Sequence, residues 1–89
     1  MLEQSITIIN KLGLHARASG KLVETTSKFS CDITIEKDGR TVDGKSIMAL
    51  MMLAASKGTE LTIKTSGVDE SDAMIAITDL INDYFGEGE

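Results

Sequence analysis

Three stretches of the chain alternate hydrophobic and polar residues with the period of two that marks a half-buried β-strand. They are residues 5–8, 32–36 and 60–64. Between the second and third stretches, Asp38-Gly39 is a favoured dipeptide for a two-residue type I′ hairpin turn, so residues 40–43 are predicted to return as a fourth strand. Each of these strands should have one covered face.

Three further segments have the spacing and capping residues of α-helices, with apolar stripes in the first and the last. They are residues 16–27, 47–56 and 70–85, with Ser46 and Asp69 where the N-caps of the second and third helices belong. The last stripe ends at Tyr84. The predicted order is β-α-β-β-α-β-α, which is typical of the α+β class, in which helices cover one face of a mainly antiparallel sheet.

The length of 89 residues suits one domain with a single core. The lone Cys31 excludes an internal disulfide, and Cys31 with His15 offers too few soft ligands for a structural zinc, so we expect no metal and no other cofactor. No apolar run approaches the roughly 18 residues of a membrane span, and the first residues lack the basic start of a signal peptide. We expect a cytoplasmic monomer with no membrane insertion.

The net charge of −5 is unevenly distributed along the chain. Residues 11–57 carry eight cations and five acids, a net of +3, whereas residues 58–89 carry eight acids and one lysine, a net of −7. An acidic chain with only one Tyr and two Phe lacks the basic footprint and the stacking groups of a nucleic-acid binder. An anionic ligand is therefore expected to meet the first two-thirds of the chain.

Residues 39–46, GRTVDGKS, match the letters of the phosphate-binding loop of nucleotide hydrolases, G-x-x-x-x-G-K-S. The context argues against that function. Gly39 is better used by the hairpin, the residues after it look like strand, and the chain offers no βαβ crossover to hold such a loop. In the simpler interpretation Lys45 is a solvated side chain and Ser46 caps a helix.

The stretch GLHARAS, residues 13–19, places the only histidine of the chain where a helix starts. With His15 at the N-cap, the next three backbone N–H groups would lack intrahelical partners and point out of the helix end, which favours anions. They belong to Ala16, Arg17 and Ala18. A neutral imidazole is a nucleophile, and a phosphoryl group on it would meet these donors and the forked guanidinium. From the residues alone, His15 is either such an acceptor or a surface cap without chemistry.

Together with GKSIMALMMLAASKGTEL, residues 44–61, this stretch resembles the HPr family, the histidine-containing phosphocarriers of the bacterial phosphoenolpyruvate-dependent sugar phosphotransferase system. The resemblance covers essentially the whole chain. It implies a single HPr domain over residues 1–89, folded as an open-faced β-sandwich with a four-stranded sheet covered on one face by three helices. One departure is that Ala18 stands where the family usually has proline. Proline in a first helical turn costs no hydrogen bond, so we expect function to persist without it.

The resemblance also implies chemistry. His15 would accept a phosphoryl group on Nδ1 from enzyme I, Arg17 would stabilise the phosphohistidine, and A-type proteins of the system would receive the group. The chain would then be a carrier and not an independent enzyme. In many members an HPr kinase/phosphorylase modifies the serine that matches Ser46. Such a phosphate would put about two negative charges at the start of the second helix and repel an acidic partner.

The second predicted helix is apolar on all sides, so one sheet cannot bury all of its side chains. We expect Leu50, Leu53 and Ala54 to face the core. The remaining side chains would form a soft docking surface, which by resemblance contacts the partner proteins. The residues predicted to contribute to it are Leu14, Ile47, Met48 and Met51, with Arg17, Lys21 and Lys45 as a basic rim that attracts acidic partners.

Two alternatives to the sugar-system carrier remain open at the level of sequence. One is the nitrogen-related paralogue, which uses the same histidine chemistry in a regulatory relay. The other is a non-catalytic α+β interaction module that binds through the second helix, with His15 incidental. Replacing His15 distinguishes a relay from an interaction module, because only the relay depends on the imidazole.

Overall fold

The structure, a computed structural model, describes all 89 residues. Its elements follow the predicted order. They are β1 (Leu2–Thr7), α1 (Ala16–Thr26), β2 (Asp32–Lys37), β3 (Arg40–Asp43), α2 (Ile47–Met52), β4 (Glu60–Ser66) and α3 (Glu70–Asn82), followed by a 3-10 turn at Tyr84–Gly86.

The four strands form one sheet in the order β1-β4-β2-β3, and every neighbouring pair is antiparallel. Ile6 on β1 lies opposite Leu61, and Ile35 on β2 lies opposite Ile63. All four side chains are buried, because the alternation places them on the face that the helices cover. The predicted α+β fold, an open sheet with three helices on one side, is confirmed.

The hairpin between β2 and β3 turns at Asp38 and Gly39, with φ values of 50° and 81°. A type I′ turn requires positive φ at both central residues, so the predicted turn is confirmed. Gly39 therefore serves the hairpin. The letters of the phosphate-binding loop are divided between a turn, the strand β3 and the cap of α2, which leaves no phosphate cradle.

The helix α2 is shorter than predicted, because it ends at Met52 instead of residue 56. Beyond it Ala54 has a left-handed φ of 53°, which takes the chain out of the helical path, and the carbonyl groups around this turn bind other segments. Lys37 Nζ donates to the Leu53 oxygen at 2.9 Å, and Leu14 N–H donates to the Ala55 oxygen at 2.8 Å. The early end turns Ala54 out to solvent and buries Ala55, so the prediction that Ala54 faces the core is wrong.

The third helix also ends early, at Asn82. Tyr84 and Phe85 then adopt positive φ values of 56° and 53°, which turn the chain so that Phe85 is fully buried and Tyr84 is exposed. Our prediction that the apolar stripe ends at Tyr84 is therefore wrong by one residue. The helical periodicity could not place Phe85 because the backbone leaves the helix before it.

Asp69 begins α3 as predicted, but its side chain makes no capping hydrogen bond. Its carboxylate instead accepts the backbone N–H groups of Ser30, at 2.8 Å, and Cys31, at 2.9 Å. The N–H of Ser30 lowers the pKa of Asp69 below its ordinary value, with further contributions from Cys31. The side chain thus ties the loop before β2 to the start of α3, a role that capping statistics do not reveal.

We predict that Asp69→Ala lowers the free energy of unfolding at neutral pH, because two N–H groups lose a charged acceptor. A carboxylate with a depressed folded pKa contributes stability that is complete above its unfolded value, here 3.8, and that is lost as the pH falls through the folded value. Urea unfolding at neutral pH and in acid should therefore show a difference from wild type that shrinks in acid. Asp79→Ala, on an exposed position of α3, is the control and should show little pH-dependent difference. A difference for Asp69→Ala that is independent of pH would contradict this role.

Candidate functional site

His15 is the N-cap of α1, with an extended backbone conformation at φ −77° and ψ −179°. Its carbonyl oxygen accepts the first intrahelical bond, from the N–H of Ser19 at 2.9 Å. Its side chain makes no capping hydrogen bond, so the imidazole is not used to complete the helix. The predicted placement of His15 at the helix start is confirmed.

The two residues before His15 fix its position. Gly13 has a φ of 66°, and a Cβ there would clash with the Ala55 carbonyl oxygen and lie 2.8 Å from Ser56 Cα. Only glycine allows this close approach. Leu14 follows with its side chain in the core and its N–H on the Ala55 oxygen. The loop is thereby held against the segment after α2, which fixes where α1 starts.

This anchoring corrects one prediction. We placed Leu14 on the exposed docking surface, but it is only 5% exposed and belongs to the hydrophobic core. Its carbonyl oxygen also accepts the hydroxyl of the buried Ser19 at 3.2 Å. Leu14 therefore supports the site from beneath and offers no surface to a partner.

Three N–H groups in the first turn of α1 donate to no carbonyl, since the first helical bond comes from Ser19. They belong to Ala16, Arg17 and Ala18, as the position of the cap predicts. Ala16 and Arg17 are exposed, whereas Ala18 is fully buried. Donors open to a ligand are thus at Ala16 and Arg17. Because the Ala18 N–H has no acceptor, the absence of the proline that is usual in the family changes no hydrogen bond.

A shallow cavity of about 500 Å³ opens beside the imidazole. The residues that line it include Lys11, Arg17 and Glu89 together with His15 itself. The Arg17 side chain is exposed and makes no hydrogen bond or ion pair within the chain. Its forked guanidinium is therefore free to bind an anion in this cavity.

The structure adds two residues to the site that the sequence did not single out. The imidazole Nε2 lies 2.5 Å from the Oε2 of Glu87, and the other carboxylate oxygen accepts the side-chain N–H of the buried Asn10 at 2.9 Å. Burial raises the pKa of Glu87, but the hydrogen bonds from Asn10 and His15, together with the charges of a protonated His15 and of Lys21, lower it further than burial raises it. The pKa of Glu87 therefore lies below its ordinary value, and this side chain is a carboxylate at neutral pH.

The helix α2 exposes its apolar side chains close to this site. Ile47 and Met51 are about half-exposed, and Met48 is 66% exposed. A Cβ on Gly20 of α1 would lie 3.6 Å from Ile47 Cδ1, so α2 begins against α1. Gly20 is five residues beyond His15, or about 7.5 Å along the helix axis. The predicted exposure of these three α2 side chains is confirmed.

The two lysines predicted as a basic rim are less free than expected. Lys21 Nζ donates to the Phe85 carbonyl oxygen at 2.7 Å, and Lys45 Nζ donates to that of Phe29 at 2.8 Å. Both residues are half-buried, so the prediction that Lys45 is simply solvated is wrong. These ammonium groups fasten neighbouring segments, and Arg17 is the cation of the predicted rim without a partner in the chain.

Ser46 caps α2 as predicted, since its hydroxyl oxygen accepts the N–H of Ala49 at 3.3 Å.

No group of three or more His, Cys, Asp or Glu residues is placed to hold a metal ion. No helix has the length and apolar character needed to cross a bilayer.

We predict that Ser46→Ala lowers the free energy of unfolding by about 1 kcal/mol, because the Ala49 N–H loses its acceptor. Ser46→Asp, which keeps an acceptor oxygen at the cap, should lose much less. Urea denaturation of the three proteins measures the difference. Equal stability of Ser46→Ala and wild type would show that the cap contributes nothing.

Comparison with known proteins places this geometry in context. The family model PTS-HPr, described as the PTS HPr component phosphorylation site, matches residues 2–83. The phosphocarrier protein HPr of Neisseria meningitidis serogroup A is 62% identical over 89 residues, and that of Pseudomonas putida is 53% identical over 90 residues. In both cases the match covers 100% of each chain.

Solved structures agree with these matches. HPr-C-His from Thermoanaerobacter tengcongensis superposes with a TM-score of 0.95 at 47% identity, covering 98% of each chain. An HPr dimer from the same organism gives a TM-score of 0.79 at 47% identity, covering 98% of this chain and 100% of that one.

Proposed function

Since the chain belongs to the HPr family of phosphocarrier proteins of the phosphotransferase system, we propose that His15 is the residue that carries its phosphoryl group. Enzyme I is the proposed donor, and A-type proteins of the system are the proposed acceptors. The observation that supports this assignment best is the N-cap position of His15, with its imidazole unused by the helix and free N–H groups at Ala16 and Arg17.

In the proposed reaction an imidazole nitrogen of His15 attacks the phosphorus atom with its lone pair. The new nitrogen–phosphorus bond forms as the bond to the donor breaks, and the donor keeps that bonding pair. The transferred group adds negative charge at the N-terminus of α1, where the helix carries roughly half a positive charge. The guanidinium of Arg17 is available to hold two of the phosphoryl oxygens. Transfer to an acceptor repeats the same exchange in the opposite direction.

Partner binding is proposed to use the exposed start of α2. Ile47, Met48 and Met51 are exposed apolar side chains on α2, which contacts α1, and the flexible methionines suit several partners of different shape. Arg17 adds a positive charge that favours acidic partners. Lys21 and Lys45 contribute charge but are already engaged with carbonyl oxygens.

We further propose that the chain acts as one domain, residues 1–89, and as a monomer in the cytoplasm. A monomer leaves both His15 and the apolar surface of α2 free for partners. Solved relatives include an HPr dimer and the dimer of the protein Crh, so the oligomeric state requires its own measurement. Sedimentation at rising concentration supports the proposal if the mass stays that of a single 9.5 kDa chain.

A regulatory phosphorylation of Ser46 by an HPr kinase/phosphorylase is a separate proposal, supported by the family alone. A phosphate at this cap would lie beside the exposed α2 side chains and bring negative charge to the docking surface. Incubation with such a kinase and ATP, followed by peptide mass analysis, tests it. An unmodified Ser46 would leave only the capping role.

We predict that wild type incubated with phosphoenolpyruvate and enzyme I gains one acid-labile phosphoryl group, and that His15→Ala gains none. Intact-protein mass spectrometry measures the gain. Enzyme I of the sugar system and of the nitrogen-related system should be tried separately, because the faster donor identifies the branch. If folded wild type gains no phosphoryl group from either donor while an A-type protein still binds it, the chain is an interaction module instead.

We predict that Met48→Glu slows phosphoryl transfer between enzyme I and this chain by about tenfold, equivalent to ~1.4 kcal/mol of lost docking energy. The side chain is exposed, so the substitution should leave the fold intact. Ile75→Glu is a matched control, because Ile75 is 58% exposed on α3, outside the predicted docking surface. Equal slowing by both substitutions would show that α2 is not the docking surface.

A further inference from the structure

The C-terminal segment lies on the imidazole in a way that the carrier function alone does not require. We propose that Glu87 is a positioning residue, whose carboxylate holds the proton of His15 on Nε2 and leaves the lone pair on Nδ1 facing the phosphoryl donor. This inference rests on the proposed function, since it concerns the same histidine.

The first support is the geometry of the pair. Nε2 and Oε2 are 2.5 Å apart, and the two side chains are 29% and 12% exposed. A carboxylate offers only acceptor oxygens, so a nitrogen this close must be the one that carries the hydrogen. In a neutral imidazole the other nitrogen is then the acceptor and nucleophile. The pair therefore selects Nδ1, the nitrogen nearer to the backbone and to the free N–H groups of α1.

The second support is that the carboxylate is itself held in place. Asn10 is fully buried, and its side-chain N–H groups donate both to Glu87 and to the Gly13 carbonyl oxygen, each at 2.9 Å. The side-chain oxygen of Asn10, Oδ1, has no partner, so this side chain serves here through its donors alone. Asn10 links Glu87 to the loop that places His15, which fixes the orientation of the ring.

The third support is the backbone around Glu87. Tyr84 and Phe85 both have positive φ, a backbone conformation that residues other than glycine rarely adopt. The buried Phe85 ring and the Lys21 bond to its carbonyl oxygen hold this turn before Glu87. After Glu87, the Lys11 N–H donates to the Glu89 carbonyl oxygen at 3.0 Å. The segment is therefore tied on both sides of the residue that touches His15.

The contact between Glu87 and His15 would also stabilise the charge that develops on the ring during transfer. The Nδ1–phosphorus bond forms as the donor's bond to phosphorus breaks and its electron pair leaves with the donor. The Nε2 proton stays in place, so the ring gains a positive charge that the Glu87 carboxylate stabilises. The other charged groups near the pair are Lys11, Arg17, Lys21 and Glu89. The cations Arg17 and Lys11 would attract the negative phosphoryl group. Glu87 is the charged group that is hydrogen-bonded to the ring.

The test compares wild type with E87A and E87Q, and it has a spectroscopic and a kinetic arm. With ¹⁵N-labelled histidine, wild type should show a protected, downfield Nε2–H proton signal, which E87A loses and E87Q keeps. Transfer from enzyme I to E87A should be slower by about tenfold, the lower end of what losing a carboxylate that orients a histidine costs in metal sites. E87Q retains an acceptor oxygen without the charge, so its rate should lie between those of E87A and wild type. E24A is the control, because Glu24 is exposed on α1 and its side chain makes no ion pair.

The outcomes separate the two proposals. Loss of the Nε2–H signal in E87A together with the rate order wild type, E87Q, E87A supports the positioning role. Wild-type rates in E87A, an unchanged Nε2–H signal in E87A, or equal slowing in E24A would overturn it while leaving His15 as the carrier. A wild type that is not phosphorylated on His15 at all would overturn the proposed function, and the positioning role with it.

Discussion

The close contact between the loop at Gly13 and the segment at Ala55 is the constraint on which the site depends. It requires a residue without a side chain at Gly13, and it allows Leu14 to enter the core while its N–H bonds the Ala55 oxygen. His15 is the next residue, so it emerges at the surface where α1 begins. The reactive histidine is thus placed by buried packing, and the helix end beside it keeps its free N–H donors.

The same contact connects the two halves of the functional surface. The helix α2 ends at Met52 and the chain turns outward at Ala54, and beyond this turn the Ala55 oxygen accepts the Leu14 N–H. The short α2 therefore both holds the histidine loop and exposes its apolar start beside it. The acidic C-terminal part of the chain completes the site by bringing Glu87 onto the imidazole.

Local patterns in the sequence predicted the strands, the hairpin, the helix starts and the position of His15. Period-two alternation and the Asp38-Gly39 turn depend on neighbouring residues only, so the final fold retains them. The misses depend on contacts between distant segments. Leu14 and Phe85 are buried by packing that no local period encodes, and the pairing of His15 with Glu87 joins residues 72 positions apart. Ala54 after α2, and Tyr84 and Phe85 after α3, have positive φ. Residues other than glycine rarely adopt this conformation, so their identity did not predict these turns.

The most direct test of the account is nuclear magnetic resonance of the phosphorylated protein with ¹⁵N labelling. If Nδ1 of His15 carries the group, the phosphorus signal is coupled to that nitrogen, and the backbone amide protons of Ala16 and Arg17 move downfield because they form new hydrogen bonds to the phosphoryl oxygens. A phosphoryl group on Nε2 or on another residue, or amide protons of Ala16 and Arg17 that do not respond, would contradict it.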